Sequence, residues 1–202
     1  MGSWSRLARY LTRLANGRGL VPKDTFRLAA EIRELLGSKD SIGHLRVSSR
    51  AIEFDLFATD EKEVETRTGL LEKKVGKLIT LKPLDLPPVP RERLEVFLEG
   101  IKLFNEERFW ECHEVLEQIW HPAKGAEREI IQGLILTAAA LVHHQKSEDD
   151  VCLRMLKKAL ERLGSRQAYE GIDLRRVRDN IERRLESKRP GPFKIAITTP
   201  SE

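Results

Sequence analysis

The sequence predicts an α+β protein in which a small ferredoxin-like α/β sandwich precedes an all-α helical bundle. Before residue 82, alternating apolar and polar runs typical of strands are interspersed with helical patterns. After residue 91, apolar residues recur every three or four positions, the spacing of helices that pack on a core. Between the two regions, four prolines in residues 83–90 exclude regular structure and predict a linker.

The domain predicted over residues 1–82 has the element order β-α-β-β-α-β. We predict the first strand over residues 7–15 because the topology requires it, although its leucines also fit one face of a helix. Pro22 lies near the start of the first helix and Gly37 ends it. The later elements are a hairpin of strands 43–48 and 51–58, a helix from the capping residue Asp60 to Lys74, and a strand over residues 76–81.

Alternation in the third strand gives its two faces different chemistry. Three apolar residues lie on one face, and Glu53, Asp55 and Phe57 lie on the other. We expect the second face to be open and acidic, and therefore to repel phosphate. The domain is accordingly interpreted as an interaction or dimerisation module rather than an RNA-binding one.

The domain predicted over residues 91–188 is a bundle of about five helices, and its short connections favour antiparallel neighbours. The predicted helices span residues 91–104, 108–121, 127–145, 148–163 and 172–187. Residues 189–202 form a C-terminal tail. Its segment 193–197 is apolar enough to dock on the protein, but the pattern does not say where.

Composition excludes several classes of protein. A net charge of +4 with 34% charged residues is typical of a soluble globular chain. No apolar run approaches the roughly 20 residues of a membrane span, and the first residues lack a signal-peptide core, so we expect a cytoplasmic protein. Cys112 and Cys152 form neither a disulfide framework nor a CxxC motif, and we expect two free, buried thiols.

Basic residues concentrate in two segments, residues 6–27 and 175–189. Such segments can attract nucleic acid through counterion release. The second segment is interleaved with acidic residues, which is the usual composition of a solvated helix face. Nucleic-acid binding is therefore the least favoured functional hypothesis, although it is not excluded.

The second predicted helix of the bundle carries ionisable groups among aromatic ones. At 100° per residue, one arc of this helix is expected to face the core, and it contains Trp110, His113, Glu117 and Trp120. Glu114 lies at the edge of the arc, whereas Glu111 points towards solvent. On the next helix, Gln132 and His143 share a face three turns apart.

Buried imidazoles and carboxylates need partners, and three arrangements supply them. In the first and favoured one, the two histidines, Glu117 and Gln132 form a structural hydrogen-bond network. In the second, His113, Glu117 and His143 bind a divalent metal, as facing helices of bundles do. In the third, a metal-free acid–base site forms, with Glu114 or Glu117 tuning a histidine. The two tryptophans are expected to be core walls.

Two paired motifs of the chain resemble those of the domain-of-unknown-function 309 family. They consist of Phe104-Asn105 with Phe109-Trp110-Glu111-Cys112-His113-Glu114, Leu116-Glu117 and Trp120, and of Gln132-Gly133-Leu134-Ile135 with Ala138-Ala139-Ala140-Leu141 and His143. The resemblance covers residues 91–163. It implies an all-helical bundle found in cytoplasmic proteins of bacteria and archaea, and no established activity, substrate or cofactor.

The leading functional hypothesis is a non-enzymatic interaction or scaffold protein with a buried His/Glu/Gln network, acting as a homo-oligomer or with a protein partner. The alternative is a metal-dependent or acid–base enzyme acting on a small polar substrate. Solvent access to His113, Glu117 and His143 would favour the enzyme, because sealed polar networks seldom perform chemistry.

Overall fold

The computed structural model describes residues 8–84 and 91–197. The elements in chain order are β1 (Ala8–Ala15), α1 (Thr25–Leu35), β2 (Ile42–Val47), β3 (Ala51–Ala58), α2 (Glu61–Lys74), β4 (Leu78–Pro83), α3 (Arg93–Asn105), α4 (Phe109–Trp120), α5 (Gly125–Gln145), α6 (Asp149–Leu163), β5 (Ala168–Tyr169), β6 (Ile172–Asp173) and α7 (Leu174–Ser187). The α+β class is confirmed. None of the described helices combines the length and apolar composition that a bilayer crossing requires.

The N-terminal unit is an antiparallel four-stranded sheet in the order β2-β3-β1-β4. Apolar side chains of β1, β3, α1 and α2 form its core. The predicted element order is confirmed, including the first strand, where Leu14 pairs with Ile52. Asp60 caps α2 as predicted, because its carboxylate accepts a hydrogen bond from the backbone N–H of Glu63.

The second face of this sheet is not acidic, and that prediction is wrong. Each carboxylate on it is held by cations from neighbouring strands, and we name the group the sheet cluster: Arg9, Arg13, His44, Arg46, Glu53 and Asp55. Glu53 lies between Arg46, whose Nε donates over 2.9 Å, and Arg13, 3.3 Å away. The Asp55 carboxylate accepts from Arg9 over 2.7 Å and lies 2.6 Å from His44 Nδ1. The prediction used only the alternation within β3, which contains Glu53 and Asp55. The cations that pair with them lie on β1 and β2.

The C-terminal unit contains the five predicted helices and one core, to which all of them contribute. Sequence patterns missed the hairpin of β5 and β6. It is tight enough to require positive φ at Glu170 and Gly171, and strands of two residues carry too little periodicity to detect.

Some predictions fall on residues outside the described ones. These are residue 7 of the first strand, residues 85–90 of the linker and residues 198–202 of the tail; Pro83, at the start of the linker, ends β4. The limits of the two domains and of the linker therefore stay predictions.

Candidate functional site

Helix α4 turns a different face to the core than the sequence predicts. Its buried residues are Phe109, Glu111, Cys112, Leu116 and Ile119. The four apolar members recur every three or four positions, so the buried face is centred roughly 80° away from His113. The prediction gave too much weight to Trp110 and Trp120, which are only partly buried, although both pack against the core.

Glu111 does not point to solvent as predicted. Its side chain is 8% exposed, and Arg108 donates to both carboxylate oxygens over 2.6 Å. A bidentate guanidinium supplies the charge and the donors that a buried carboxylate needs. Glu111 is therefore an internal ion-pair residue at the start of α4, and Arg108 is a structural residue that the sequence pattern did not identify.

Three ionisable side chains of α4 converge at the border between core and solvent, and we name them the α4 cluster: His113, Glu114 and Glu117. His113 Nδ1 lies 3.4 Å from Glu114 Oε1, and His113 Nε2 lies 3.6 Å from Glu117 Oε1. One ligand atom from each side chain can be chosen such that all three lie within 4.8 Å of one another. The side chains are 27%, 48% and 38% exposed, so the cluster is open to solvent.

The two glutamates change the acidity of the histidine between them. The pKa of His113 is raised chiefly by the adjacent Glu114 carboxylate and also by Glu117, while partial burial acts in the opposite direction. Neither ring nitrogen of His113 makes a hydrogen bond of normal length among the described residues, because Nδ1, which is buried, lies 3.4 Å from Glu114 Oε1 and Nε2 lies 3.6 Å from Glu117 Oε1. The imidazole therefore has unused capacity to bind a proton or a cation.

The α4 cluster has the donor types and spacing of a divalent-metal site. One imidazole and two carboxylates are ligands that Zn²⁺ and similar ions accept, and ligand atoms about 2.1 Å from a tetrahedral ion lie roughly 3.4 Å apart. In the structure the two glutamates face different nitrogens of the His113 ring, Glu114 facing Nδ1 and Glu117 facing Nε2. A single ion can bind only one of these nitrogens, so one glutamate side chain must rotate towards the nitrogen that the other glutamate faces. Both glutamates are exposed enough to do so.

The structure does not bring His143 into this cluster. Its Nδ1 is bonded to a carboxylate oxygen of Glu148 across the turn between α5 and α6. His144 forms the equivalent pair with Asp149, at 2.7 Å. Gln132 is half-buried on α5, and among the described residues no hydrogen bond joins it to His113 or Glu117. Glu114, which helical periodicity places at the edge of the predicted core-facing arc, takes the place of the predicted ligand His143.

Trp120 closes the C-terminal end of α4. The guanidinium of Arg128 lies 3.9 Å from the centre of its ring and donates to its backbone carbonyl over 3.0 Å. This cation–π contact joins α4 to α5. Trp110 and Trp120 both pack against the core, as expected of core walls.

The backbone beneath the cluster is close to α3. A Cβ added at Gly100 would lie 2.6 Å from Leu116 Cδ2, so any larger residue there would force the Leu116 side chain to move. Cys112, on the buried face, has a thiol whose pKa is raised by burial. Burial also raises the pKa of Cys152 to about 12. Both cysteines are free and buried, as predicted, and neither is an activated nucleophile.

Comparisons with known proteins bear on this helical region. The model of a family described as a domain of unknown function (DUF309) matches residues 97–155, which include all of α4. A crystal structure of a conserved hypothetical protein from Thermus thermophilus is 39% identical, over 44% of this chain and 94% of that chain, with a TM-score of 0.40. The chain belongs to the DUF309 family.

The resemblance to DUF309, predicted over residues 91–163, is thus confirmed for residues 97–155, and the α4 cluster lies inside the matched residues. The N-terminal sheet, residues 156–163 of α6 and everything after α6 lie outside them. Comparison with curated proteins found no match.

Proposed function

We propose that this DUF309 protein binds one divalent transition-metal ion through His113, Glu114 and Glu117. The observation that carries the proposal is the convergence of three ligand atoms within 4.8 Å on a face that water can reach. Zinc and its neighbours in the first transition row take such mixed nitrogen and oxygen ligand sets.

The charge around the cluster supports a cation. Two carboxylates stand side by side, and within the described residues no lysine or arginine forms an ion pair with either of them. His113 is their only ion-pair partner there. A divalent cation would neutralise both glutamates and use one ring nitrogen of His113.

The openness of the cluster argues against the sealed network that the sequence favoured. Three protein ligands leave at least one coordination position for water or a substrate group, which is the arrangement of catalytic rather than structural zinc sites. A bound metal would supply Lewis acidity at that position. We therefore place a metal-dependent reaction on a small polar substrate ahead of a purely scaffolding role in the cytoplasm.

Metal titration of tag-free protein tests the proposal. Protein stripped with a chelator is titrated with Zn²⁺, Mn²⁺ and Co²⁺ by calorimetry, and the Co²⁺ absorption spectrum reports ligand geometry. We expect one ion per chain. We expect His113→Gln and Glu117→Gln each to weaken binding at least tenfold, because each removes a ligand.

His144→Gln is the matched control, because it removes a partly buried histidine that also faces a carboxylate but lies outside the cluster. It should bind metal like the wild type. Absence of binding at millimolar metal, or equal binding by all three variants, would overturn the proposal. If no metal binds, the interaction or scaffold hypothesis becomes the leading one again.

A further inference from the structure

The chain after α7 runs in an extended path over the helical unit, and we name residues 191–197 the strap. Lys188 ends α7 in a left-handed conformation, and Pro190 and Pro192 prevent the helix from resuming. Phe193 and Ile195 are buried, whereas Lys194 and Ala196 are exposed. Alternation with period two is the side-chain pattern of a strand, although the strap forms only one bridge, between Ile197 and Ile172.

Asn105, the last residue of α3, holds the backbone of the strap. Its Nδ2 donates to the carbonyl of Ile195 over 2.8 Å, and its Oδ1 accepts from the N–H of the same residue over 2.8 Å. A side-chain amide thus offers one donor and one acceptor, as a neighbouring strand would. This pairing is independent of the side chain at position 195.

Phe104 and Arg184 complete the receptor. The ring of Phe193 packs edge-on against Phe104 with 5.2 Å between centroids. The Arg184 guanidinium lies 4.7 Å from the centre of the Phe193 ring and donates to the carbonyls of Gly191 and Pro192, both over 2.6 Å. Phe104, Asn105 and Arg184 therefore contact the strap mainly through its backbone, and the strap contributes only two buried apolar side chains, Phe193 and Ile195.

Two of the three receptor residues are distant from the strap in sequence. Phe104 and Asn105 lie within the DUF309 match, whereas Arg184 and the strap both follow it. We propose that the corner formed by Phe104, Asn105 and Arg184 is a binding site for extended peptides that carry an aromatic side chain followed two positions later by an aliphatic one. The strap fills this corner in cis, and a partner segment of the same chemistry displaces it.

Fluorescence anisotropy of a labelled peptide tests the site in the full chain. The peptide reproduces residues 189–197 with K194Q, and the receptor is F193A/I195A, in which the strap competes poorly. We expect the variant to bind at least tenfold more tightly than the wild type, because an intact strap competes at an effective concentration on the order of millimolar. Adding N105A to the variant should weaken binding about tenfold, and N105D should weaken it at least as much, because a carboxylate oxygen would then face the backbone carbonyl that Nδ2 donates to.

A second measurement uses the wild-type chain and so does not depend on the folding of a variant. Excess unlabelled peptide should accelerate tryptic cleavage after Lys194, because the displaced strap is open to the protease. A peptide with alanine in place of Phe193 and Ile195 is the control and should leave the rate unchanged. A concentration-dependent dimer that the peptide dissociates would also support this binding site, with the strap of a second copy of the chain as its occupant.

Three results would each overturn the proposal. They are the absence of peptide binding to F193A/I195A at millimolar peptide, equal binding with and without N105A, and an unchanged cleavage rate in the wild type. In each case the strap would be an ordinary part of the fold.

Discussion

The sheet cluster and the α4 cluster each contain two carboxylates and a histidine, but the two pairs of carboxylates differ in burial and in their partners. In the sheet, Glu53 and Asp55 are buried, and both are held by arginines from neighbouring strands. On α4, Glu114 and Glu117 are half-exposed, and His113 stands between them. The sequence suggested the reverse, with an open sheet face and a buried helix face.

The difference shows that the partner of a carboxylate distinguishes a structural group from a binding group. A carboxylate paired with a guanidinium within hydrogen-bonding distance has its charge compensated, even where one oxygen, as in Asp55 Oδ1, has no hydrogen-bond partner among the described residues. The carboxylates of Glu114 and Glu117 face only a histidine, at 3.4 and 3.6 Å, and no guanidinium compensates their charge among the described residues. We therefore expect the sheet cluster to govern stability and the α4 cluster to govern binding.

Removing Glu53 should have the largest effect. Glu53→Ala leaves Arg13 and Arg46 buried without the carboxylate, and we expect a loss of about 3–5 kcal/mol in the free energy of unfolding. Chemical denaturation followed by hydrogen exchange of β3 amides confines the measurement to this unit. The control is Glu31→Ala, which removes an exposed pair with Arg18 and should cost less than about 1 kcal/mol. Equal losses in the two variants would contradict the structural role of the sheet cluster.

Metal should stabilise the helical unit by the next largest amount. At a free concentration one hundred times the dissociation constant, a site confined to the folded state adds about 2.7 kcal/mol. Tryptophan fluorescence is weighted towards this unit, because two of the three tryptophans, Trp110 and Trp120, lie on α4. Without metal, Glu117→Gln should change stability by less than about 1 kcal/mol, since it removes only an exposed pair. A large loss of stability in metal-free Glu117→Gln would show that the α4 cluster has a structural role like that of the sheet cluster.

A smaller effect tests whether the α4 cluster depends on the packing beneath it. Gly100→Ala brings a Cβ to 2.6 Å from Leu116, next to Glu117 in the chain. We expect a loss of about 1–2 kcal/mol, after the gain in helix propensity is included. Gly69→Ala in α2 is the control, because its Cβ meets nothing within 4 Å, and it should stabilise by up to about 1 kcal/mol. Weaker metal binding by G100A, measured by calorimetry, would show that α3 positions the ligands.

The sequence predicted the four strands of the N-terminal sheet and all seven helices, although not the β5–β6 hairpin, because these longer elements carry their own periodicity and end signals. Asp60, Gly37 and the alternation in β3 are local features. The site was harder. The burial of Glu111 depends on Arg108, and the engagement of His143 depends on Glu148 across a turn. Arg108 lies three positions before Glu111, which is a helical spacing, but spacing alone does not show that the pair is buried. Glu148 lies beyond the end of α5, and the arginines of the sheet cluster come from strands other than β3.

The smallest effect is a pH dependence confined to the α4 cluster. In metal-free protein the pKa of His113 is raised above its unfolded value by Glu114 and Glu117. The protonated histidine therefore stabilises the fold fully below about pH 6.5, the unfolded value, and this contribution disappears as pH rises through the higher folded pKa. An exposed pair of this kind contributes at most about 1 kcal/mol.

Denaturant titrations of wild type and His113→Gln at about pH 5.5 and about pH 8.5, with chelator present, measure this contribution on either side of the histidine pKa. The wild type should lose stability relative to the variant on going from the lower pH to the higher one. With saturating metal the trend should reverse, because protons then compete with the ion for His113 and the metal stabilises the fold more at the higher pH. Glu53 pairs with Arg13 and Arg46 and not with His113, so Glu53→Ala should leave the difference unchanged. A pH dependence that survives in His113→Gln would assign it to groups outside the α4 cluster.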